Sequence, residues 1–189
     1  MNEQPHYAIV VDTSVARSAS ETQNPTSIHC REALEALDQS GHTLAMSDPL
    51  WEEWNRSVLD RPAGFWDKYA SRYAMGWYVS MQQRHRVRWA DLPVNNALRN
   101  RAVASASTIW PGSHVPEEIG KDFFLIETAM ATDGRVISLN DRQRRQFRQV
   151  AQGIPDIGAI LWIDPDREDA TGWLHAGAPE RSDLRLLVH

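Results

Sequence analysis

The chain has 189 residues, of which 42% are hydrophobic and 24% are charged, and its formal net charge is −5. This length suits one domain with a substantial core, and no apolar run approaches the roughly 18 residues of a membrane span. The N-terminus, MNEQPHYAIVVDTSV, lacks the basic and long apolar regions of a signal peptide, and the single cysteine excludes an intramolecular disulfide and a cysteine-based zinc cluster, so we expect a cytoplasmic protein with no membrane partner.

The first part of the chain predicts two strands and two helices. Residues 7–11, YAIVV, are an apolar run rich in β-branched residues, which predicts a buried strand, and the polar segment 12–26 predicts a loop. Residues 27–42 carry apolar side chains at i, i+3, i+4 and i+7, which is typical of an amphipathic helix. Residues 43–46, TLAM, predict a second strand, and the Asp-Pro pair at 48–49 is a suitable N-cap and first residue for the next helix.

The second part begins with an α-rich stretch. The patterns across residues 62–105 are helical, and a long amphipathic helix is predicted from about 116 to 132. Residues 135–139, RVISL, predict a third strand, and residues 157–163, IGAILWI, predict a fourth, with a polar helix between them.

This order of elements predicts the fold class α/β. Strands that alternate with helices imply an α/β/α sandwich around a mostly parallel central sheet. We expect this domain to span residues 1–165, with a helical insertion at about 60–110, and to be followed by a tail, residues 166–189, that shows no clear pattern. Sites in such sheets lie beyond the carboxyl ends of the strands, where Asp12 and Asp141 stand.

The helix predicted at 116–132 carries an unusual carboxylate, Asp122. At about 100° per residue, one broad face of this helix is apolar. That face contains Ile119, Phe123, Leu125, Ile126, Ala129 and Met130. Asp122 falls within it, and Glu118 lies near its edge. Because a carboxylate turned toward a core is unfavourable unless it is paired, we expect either a partner for Asp122 or a wet cleft at the end of the apolar face.

Three short motifs each place one acid near a predicted strand. VVDTSVA has Asp12 at the strand end, followed by hydroxyl residues that include Ser14. MSDPLWEEW has a glutamate about two turns after a strand-end serine, and Glu53 fits better than Glu52, which points away from the apolar face. KDFFLIETAMATDGRVISL has Asp122, then apolar residues and a strand that ends in serine. These motifs resemble the first three motifs of the PIN domain, a family of metal-dependent ribonucleases, and the resemblance implies that the three acids are metal ligands.

The fourth motif departs from the family pattern. The family usually has an aspartate two residues after the strand-end serine or threonine, whereas Ser138 is followed two residues later by Asn140 and three later by Asp141. Either Asp141 replaces the expected carboxylate, or Asn140 serves as a neutral ligand or holds a water. Both residues are also good N-caps for the next helix. The resemblance covers residues 7–55 and 116–165.

The resemblance implies a metal-dependent endoribonuclease that hydrolyses phosphodiester bonds in single-stranded or structured RNA. Carboxylates suit Mg²⁺ or Mn²⁺, because these hard cations prefer oxygen ligands, and such a cation supplies a nucleophilic water and relieves charge on the phosphate. Besides an RNA substrate, the resemblance suggests a protein partner, such as the antitoxin of a toxin–antitoxin pair, and a homodimer.

Arginines are clustered directly after Asp141, in the segment RQRRQFR. Guanidinium groups suit bidentate phosphate contacts, so Arg142, Arg144 and Arg145 are candidates for RNA binding together with Ser14. The same cluster also fits a plain solvated helix face. The net charge of −5 argues against a protein that merely coats nucleic acid, but a nuclease that holds metal ions with carboxylates need not be basic.

Other interpretations stay open. A degenerate PIN-like module would bind nucleic acid or a protein without cleavage, and Asn140 in the fourth motif favours it. An aspartate-nucleophile phosphatase also begins with a strand and an aspartate, but it needs a second aspartate where this chain has a serine. Asp12 also fits a turn or cap, and Glu53 fits solvated helix surface. Trp51 and Trp54, beside Glu53, could stack on bases.

Overall fold

The computed structural model describes residues 5–55, 70–92 and 96–187. Within them, five short strands form one parallel sheet in the order β3-β2-β1-β4-β5. The strands are β1 (Ala8–Val11), β2 (Thr43–Met46), β3 (Val87–Trp89), β4 (Arg135–Ile137) and β5 (Leu161–Ile163). The chain winds outward from β1 to β3 and then crosses to β4 on the other side of β1. The strand order therefore reverses between β1 and β4, which is where ligands bind in open α/β sheets.

Helices cover both faces of this sheet. Those in the described residues are α1 (Thr13–Ser18), α2 (Pro25–Gln39), α3 (Asp48–Asn55), α4 (Arg72–Gln83), α5 (Ala97–Ile109), α6 (Val115–Met130), α7 (Asp141–Gly153) and α8 (Ala170–His175). One group consists of α2 with α4 and α8, and another of α5 with α6 and α7. The right-handed crossovers of parallel strands place these groups on opposite faces. The predicted α/β/α sandwich is thus confirmed.

Local sequence explains where several helices begin and end. Asn24 accepts a hydrogen bond from the Ser27 backbone N–H at 2.8 Å and so caps α2. Gly41 follows the end of that helix with φ +80°, a left-handed conformation that favours glycine. Asn140 caps α7 in the same way as Asn24 caps α2, through the backbone N–H of Gln143 at 3.0 Å. No helix in the described ranges combines the length and apolar composition needed to cross a bilayer.

The stretch predicted as a helical insertion contributes to the sheet. Its described part contains α4 and α5, as expected, but the prediction of helix across residues 87–89 is wrong. These residues form the edge strand β3, which pairs with β2. The Leu44 N–H of β2 donates to the carbonyl of Arg86, directly before β3, at 2.9 Å. A three-residue strand is too short to show a period of two, so only the pairing with β2 defines it. Residues 60–69 and 93–95 of the insertion lie outside the described part.

Two other segments acquire structure that their sequence did not predict. Residues 13–18, expected to be a loop, form α1 directly after β1. In the tail, α8 packs against α2, and Arg185 forms an antiparallel bridge with Leu161 of the edge strand β5. These contacts join the tail to the sheet formed by the preceding residues.

An ion pair with a buried carboxylate links α5 to α6, the helix that carries Asp122. Arg99 donates to the carboxylate of Glu127, which is 3% exposed. We expect Arg99→Met to lower the free energy of unfolding by about 3 kcal/mol, because it leaves a buried carboxylate unpaired. Urea denaturation measures this change.

A matched control lies on the same helix. Arg101 pairs with Asp156 at 3.3 Å, but both side chains are more than half exposed, so Arg101→Met should cost less than about 1 kcal/mol. The double variant Arg99→Met/Glu127→Met should recover most of the loss. Equal effects of the two arginine substitutions on the free energy of unfolding would contradict a structural role for the Arg99–Glu127 pair.

Candidate functional site

A pocket of about 760 Å³ opens beyond the carboxyl ends of the strands. Its polar lining includes Asp12, Glu53, Asp122, Asn140 and Gln143. These side chains come from the end of β1, from α3, from α6 and from the start of α7. The fold thus brings the three acids of the predicted ligand set, which are distant in sequence, to one cavity.

Asp12 is held by two hydroxyl groups at the junction of β1 and β4. It is 7% exposed, and its Oδ2 accepts hydrogen bonds from Ser14 Oγ at 2.5 Å and from Ser138 Oγ at 2.6 Å. The two hydroxyls are oriented in turn by backbone N–H groups, Leu139 N–H to Ser14 at 3.2 Å and Asn140 N–H to Ser138 at 3.0 Å. Ser14 therefore orients a carboxylate, which is a role besides the substrate contact predicted for it.

A role as helix cap does not explain the hydrogen bonds of the Asp12 side chain. Asp12 occupies the N-cap position of α1, but its side chain makes no capping hydrogen bond. Oδ2 is instead shared by the two serines, and Oδ1 receives no hydrogen bond from the described residues. One carboxylate oxygen is thus fixed while the other is left to the pocket.

Glu53 lies beside the start of α1. Its Oε2 accepts a hydrogen bond from Thr13 Oγ1 at 3.0 Å, so a residue of the first motif orients the acid of the second. Glu52, expected to point away, is exposed but also lines the pocket. Trp54, one of the two tryptophans proposed to stack on bases, is 1% exposed and donates to the Val11 carbonyl at 3.2 Å, which makes it a core residue. Trp51 stacks on Tyr78 with ring centroids 4.7 Å apart.

Asp122 stands where the apolar face of α6 meets the pocket. Five of the six predicted face residues are fully buried or nearly so, but Met130, at the far end, is 42% exposed. Asp122 is half-buried, and its Oδ2 accepts a hydrogen bond from Gln143 Nε2 at 2.6 Å. Burial raises the pKa of Asp122 to about 6, and repulsion from Asp12 and Glu118 adds to this rise. The expected wet cleft and the expected partner are thus both present.

The two central aspartates are held by neutral donors. Among the described residues, neither Asp12 nor Asp122 forms an ion pair. Lys121 lines the pocket, but its ammonium group pairs with Glu117 at 2.8 Å. Arg17 also lines the pocket. Because neutral donors orient a carboxylate without cancelling its charge, these contacts leave the charge of both aspartates in place.

Asn140 and Asp141 have different surroundings. Asn140 lines the pocket, and its Oδ1 also caps α7. Asp141 is not among the pocket residues; its Oδ2 lies between Arg145 at 2.7 Å and Arg167 at 3.0 Å. Of the two alternatives for the fourth ligand, the structure thus places Asn140 at the site and Asp141 beside it.

The clustered arginines mostly bind acids of the same chain. Arg144 is 6% exposed and donates to Glu168 at 2.8 Å, so burial removes it from the candidates for RNA contact. Arg142 pairs with Glu118 at 2.7 Å, and Arg145 pairs with Asp141, but both side chains are about two-thirds exposed. Phosphate contact by Arg142 and Arg145 stays a prediction.

Gln143 and Thr13 are site residues that the sequence did not single out. Asn140-x-x-Gln143 has the spacing of a capping box, a signal that was available. In a capping box the Gln143 side chain would return to the Asn140 N–H, but Ser138 takes that N–H, and Gln143 reaches Asp122 on another helix instead. Sequence spacing alone does not reveal such a contact.

The donor set fits a hard cation, although the acids do not meet at one point. In the described part of the chain, no group of three or more His, Cys, Asp or Glu side chains converges closely enough to hold one ion. The pocket acids are nevertheless oxygen donors of the kind that Mg²⁺ and Mn²⁺ take, and Asp12 Oδ1 is without a hydrogen-bond partner in the described residues.

Asp122→Asn tests the electrostatics of the pocket without any metal. Since the pKa of Asp122 is raised from 3.8 to about 6, the folded chain binds more protons than the unfolded chain between these pH values, and stability falls as pH rises through that window. In EDTA at pH 7.5 we expect Asp122→Asn to raise the free energy of unfolding by about 1 kcal/mol. Partial solvent screening makes this gain smaller than the full shift of the pKa would give. Urea denaturation measures the gain, which should vanish near pH 4.

Asp156→Asn is the matched control, because Asp156 is an exposed carboxylate away from the pocket. It should show no comparable gain at pH 7.5. A loss of stability in Asp122→Asn at that pH would mean that Asp122 is a structural partner rather than a member of a repulsive cluster.

Comparison of the chain with protein-family models, curated proteins and solved structures finds no match. What the pocket does is therefore inferred from its own residues and their geometry.

Proposed function

We propose that the protein is a metal-dependent endoribonuclease of the PIN type. One observation carries this proposal: Asp12, Glu53 and Asp122 come from three separate segments to one pocket at the reversal of the strand order. Acids gathered in this way repel each other, so the arrangement does not serve stability. The resemblance of the three motifs to the PIN family supports the same proposal.

The acids would hold Mg²⁺ or Mn²⁺, with Asn140 as a neutral oxygen donor. The bound cation would supply a water of lowered pKa as nucleophile and would neutralise charge on the phosphate. The chain's own residues orient the site: Ser14 and Ser138 fix one oxygen of Asp12, and Thr13 fixes one oxygen of Glu53. A ligand oxygen that is already oriented loses little freedom on binding, which favours tight and specific coordination.

Charge supports a phosphodiester substrate, and the resemblance alone points to RNA. A phosphodiester is repelled by acids alone, so its approach needs the cation together with positive side chains. Arg17 and Lys121 line the pocket, and Arg142 and Arg145 lie at the start of α7. These side chains support a phosphodiester, and through the resemblance the proposed substrate is single-stranded or structured RNA. A cytoplasmic location, an antitoxin-like protein partner and a homodimer belong to this proposal through the resemblance alone.

A second candidate function is a PIN-like module that binds nucleic acid or protein without cleavage. Asn140 favours it, because an amide in the fourth position reduces the negative charge available to a metal. Metal binding and RNA cleavage separate the two candidates.

The nuclease proposal predicts RNA cleavage that requires Mg²⁺ or Mn²⁺ and stops in EDTA. Asp12→Asn should reduce cleavage of a mixed panel of RNA oligonucleotides by more than about 100-fold, since loss of a residue outside the ligand shell already costs roughly 10- to 100-fold. Denaturing gels measure the rate. Asp156→Asn, at an exposed carboxylate, should cleave like the wild type.

Melting curves in EDTA establish that Asp12→Asn is folded. Cleavage by Asp12→Asn at the wild-type rate, or no cleavage by the wild type with either metal, would reject the nuclease proposal.

The fourth ligand is tested by the stabilisation that Mn²⁺ produces. A ligand that binds only the folded state stabilises it by RT ln(1 + [L]/Kd), about 2.7 kcal/mol at a hundredfold excess over Kd. Because Asn140 lines the pocket and Asp141 is paired with arginines, we expect Asn140→Ala to lose much of the Mn²⁺-dependent rise in melting temperature and Asp141→Asn to keep it.

Each variant is compared with itself in EDTA, since loss of the Asn140 cap alone costs about 1 kcal/mol. The reverse order, with Asp141→Asn losing the response, would make Asp141 the fourth ligand.

A further inference from the structure

Gln143 is a buried amide whose position is not explained by helix capping. Its side chain is 4% exposed and lies in the first turn of α7. Its Nε2 donates to Asp122 Oδ2 at 2.6 Å, and its Oε1 is buried without a hydrogen-bond partner. An ionised carboxylate only accepts hydrogen bonds, so the amide nitrogen is the atom that faces Asp122.

The stability of the fold does not explain why an amide occupies position 143. A buried acceptor without a partner is unfavourable, whereas an apolar side chain of similar size would leave no such group. Capping does not need it either, because Ser138 Oγ already binds the Asn140 N–H. The hydrogen bond to Asp122 is therefore the contact that explains the position of Gln143.

The contact repeats the arrangement at Asp12. There, Ser14 and Ser138 occupy Oδ2 and are neutral donors. At Asp122, Gln143 likewise occupies Oδ2 and is neutral. In both cases one carboxylate oxygen is fixed while the charge of the group is preserved. An arginine or lysine at position 143 would orient Asp122 equally well but would cancel that charge.

We propose that Gln143 is a positioning residue for the metal site, which holds Asp122 Oδ2 so that the other oxygen is presented to the cation. This inference rests on the proposed function, since it assigns Asp122 as a ligand. It adds a residue that the family motifs do not supply, and it connects α7 to the ligand on α6.

Gln146 offers a matched control on the same helix. It is also buried, at 9% exposure, and its Nε2 also donates to a carboxylate of α6, that of Glu118 at 3.3 Å. Neither Gln146 nor Glu118 is among the residues that line the pocket. Gln143→Met and Gln146→Met therefore make the same chemical change to the same kind of contact, and only the first touches the proposed ligand.

The test is the dissociation constant for Mn²⁺, measured on the full chain at pH 7.5 by calorimetry and by electron paramagnetic resonance of free Mn²⁺. Gln143→Met should weaken Mn²⁺ binding by about 10-fold or more, and Gln146→Met should change it less than about twofold. Gln143→Asn, which keeps the amide but is one carbon too short to reach Asp122, should also weaken binding. Melting in EDTA identifies any variant that fails to fold, and the remaining variant at position 143 then decides the outcome.

Wild-type affinity in both Gln143 variants would overturn the positioning role while leaving the metal site in place. Equal weakening in Gln143→Met and Gln146→Met would also overturn it, because the effect would then come from the helix as a whole. Absence of Mn²⁺ binding by the wild type would instead reject the proposed function together with this inference.

Discussion

The contact on which the site depends is that between Asp12 and Ser138, made where β1 pairs with β4. This pairing joins the two halves of the sheet, and it places a buried carboxylate at the end of one strand against a hydroxyl at the end of the next. Ser14 completes the arrangement from the start of α1, directly after Asp12. The same hydroxyl of Ser138 binds the Asn140 N–H, so the carboxylate and the start of α7 are held by one group. The other site residues are arranged around this junction.

The chain separates its acids into two electrostatic classes. Acids beside the pocket are neutralised by arginines, and these pairs are Arg142 with Glu118, Arg144 with Glu168, and Arg145 and Arg167 with Asp141. The central acids within the pocket, Asp12 and Asp122, are held by hydroxyl and amide donors instead. Burial raises the pKa of Asp122, and repulsion from Asp12 and Glu118 adds to this rise. In the described part of the chain, arginines pair with acids around the pocket but with neither of these two aspartates, whose hydrogen bonds leave their charge in place.

Prediction from sequence succeeded where a local pattern carries the information. The apolar runs of β1 and β2 and the amphipathic pattern of α6 identify these elements without knowledge of their partners. It failed for β3, whose three residues have no period of their own and become a strand only by pairing with β2. It failed also for α1, a helix of six residues whose polar sequence is equally typical of a loop. Short elements are defined by their neighbours, so their own residues contain too little signal.

The sequence by itself determined the fold class and the three acids of the pocket, because a strand followed by Asp12 and an apolar face interrupted by Asp122 are local features. Only the tertiary structure decided which of Asn140 and Asp141 lines the pocket, since both are suitable caps for the same helix. It alone also brought Gln143 to Asp122, which lies 21 residues earlier in the chain. The physical reason is that side chains on different helices meet only after the helices have packed on the sheet, and their angle and depth depend on the whole core.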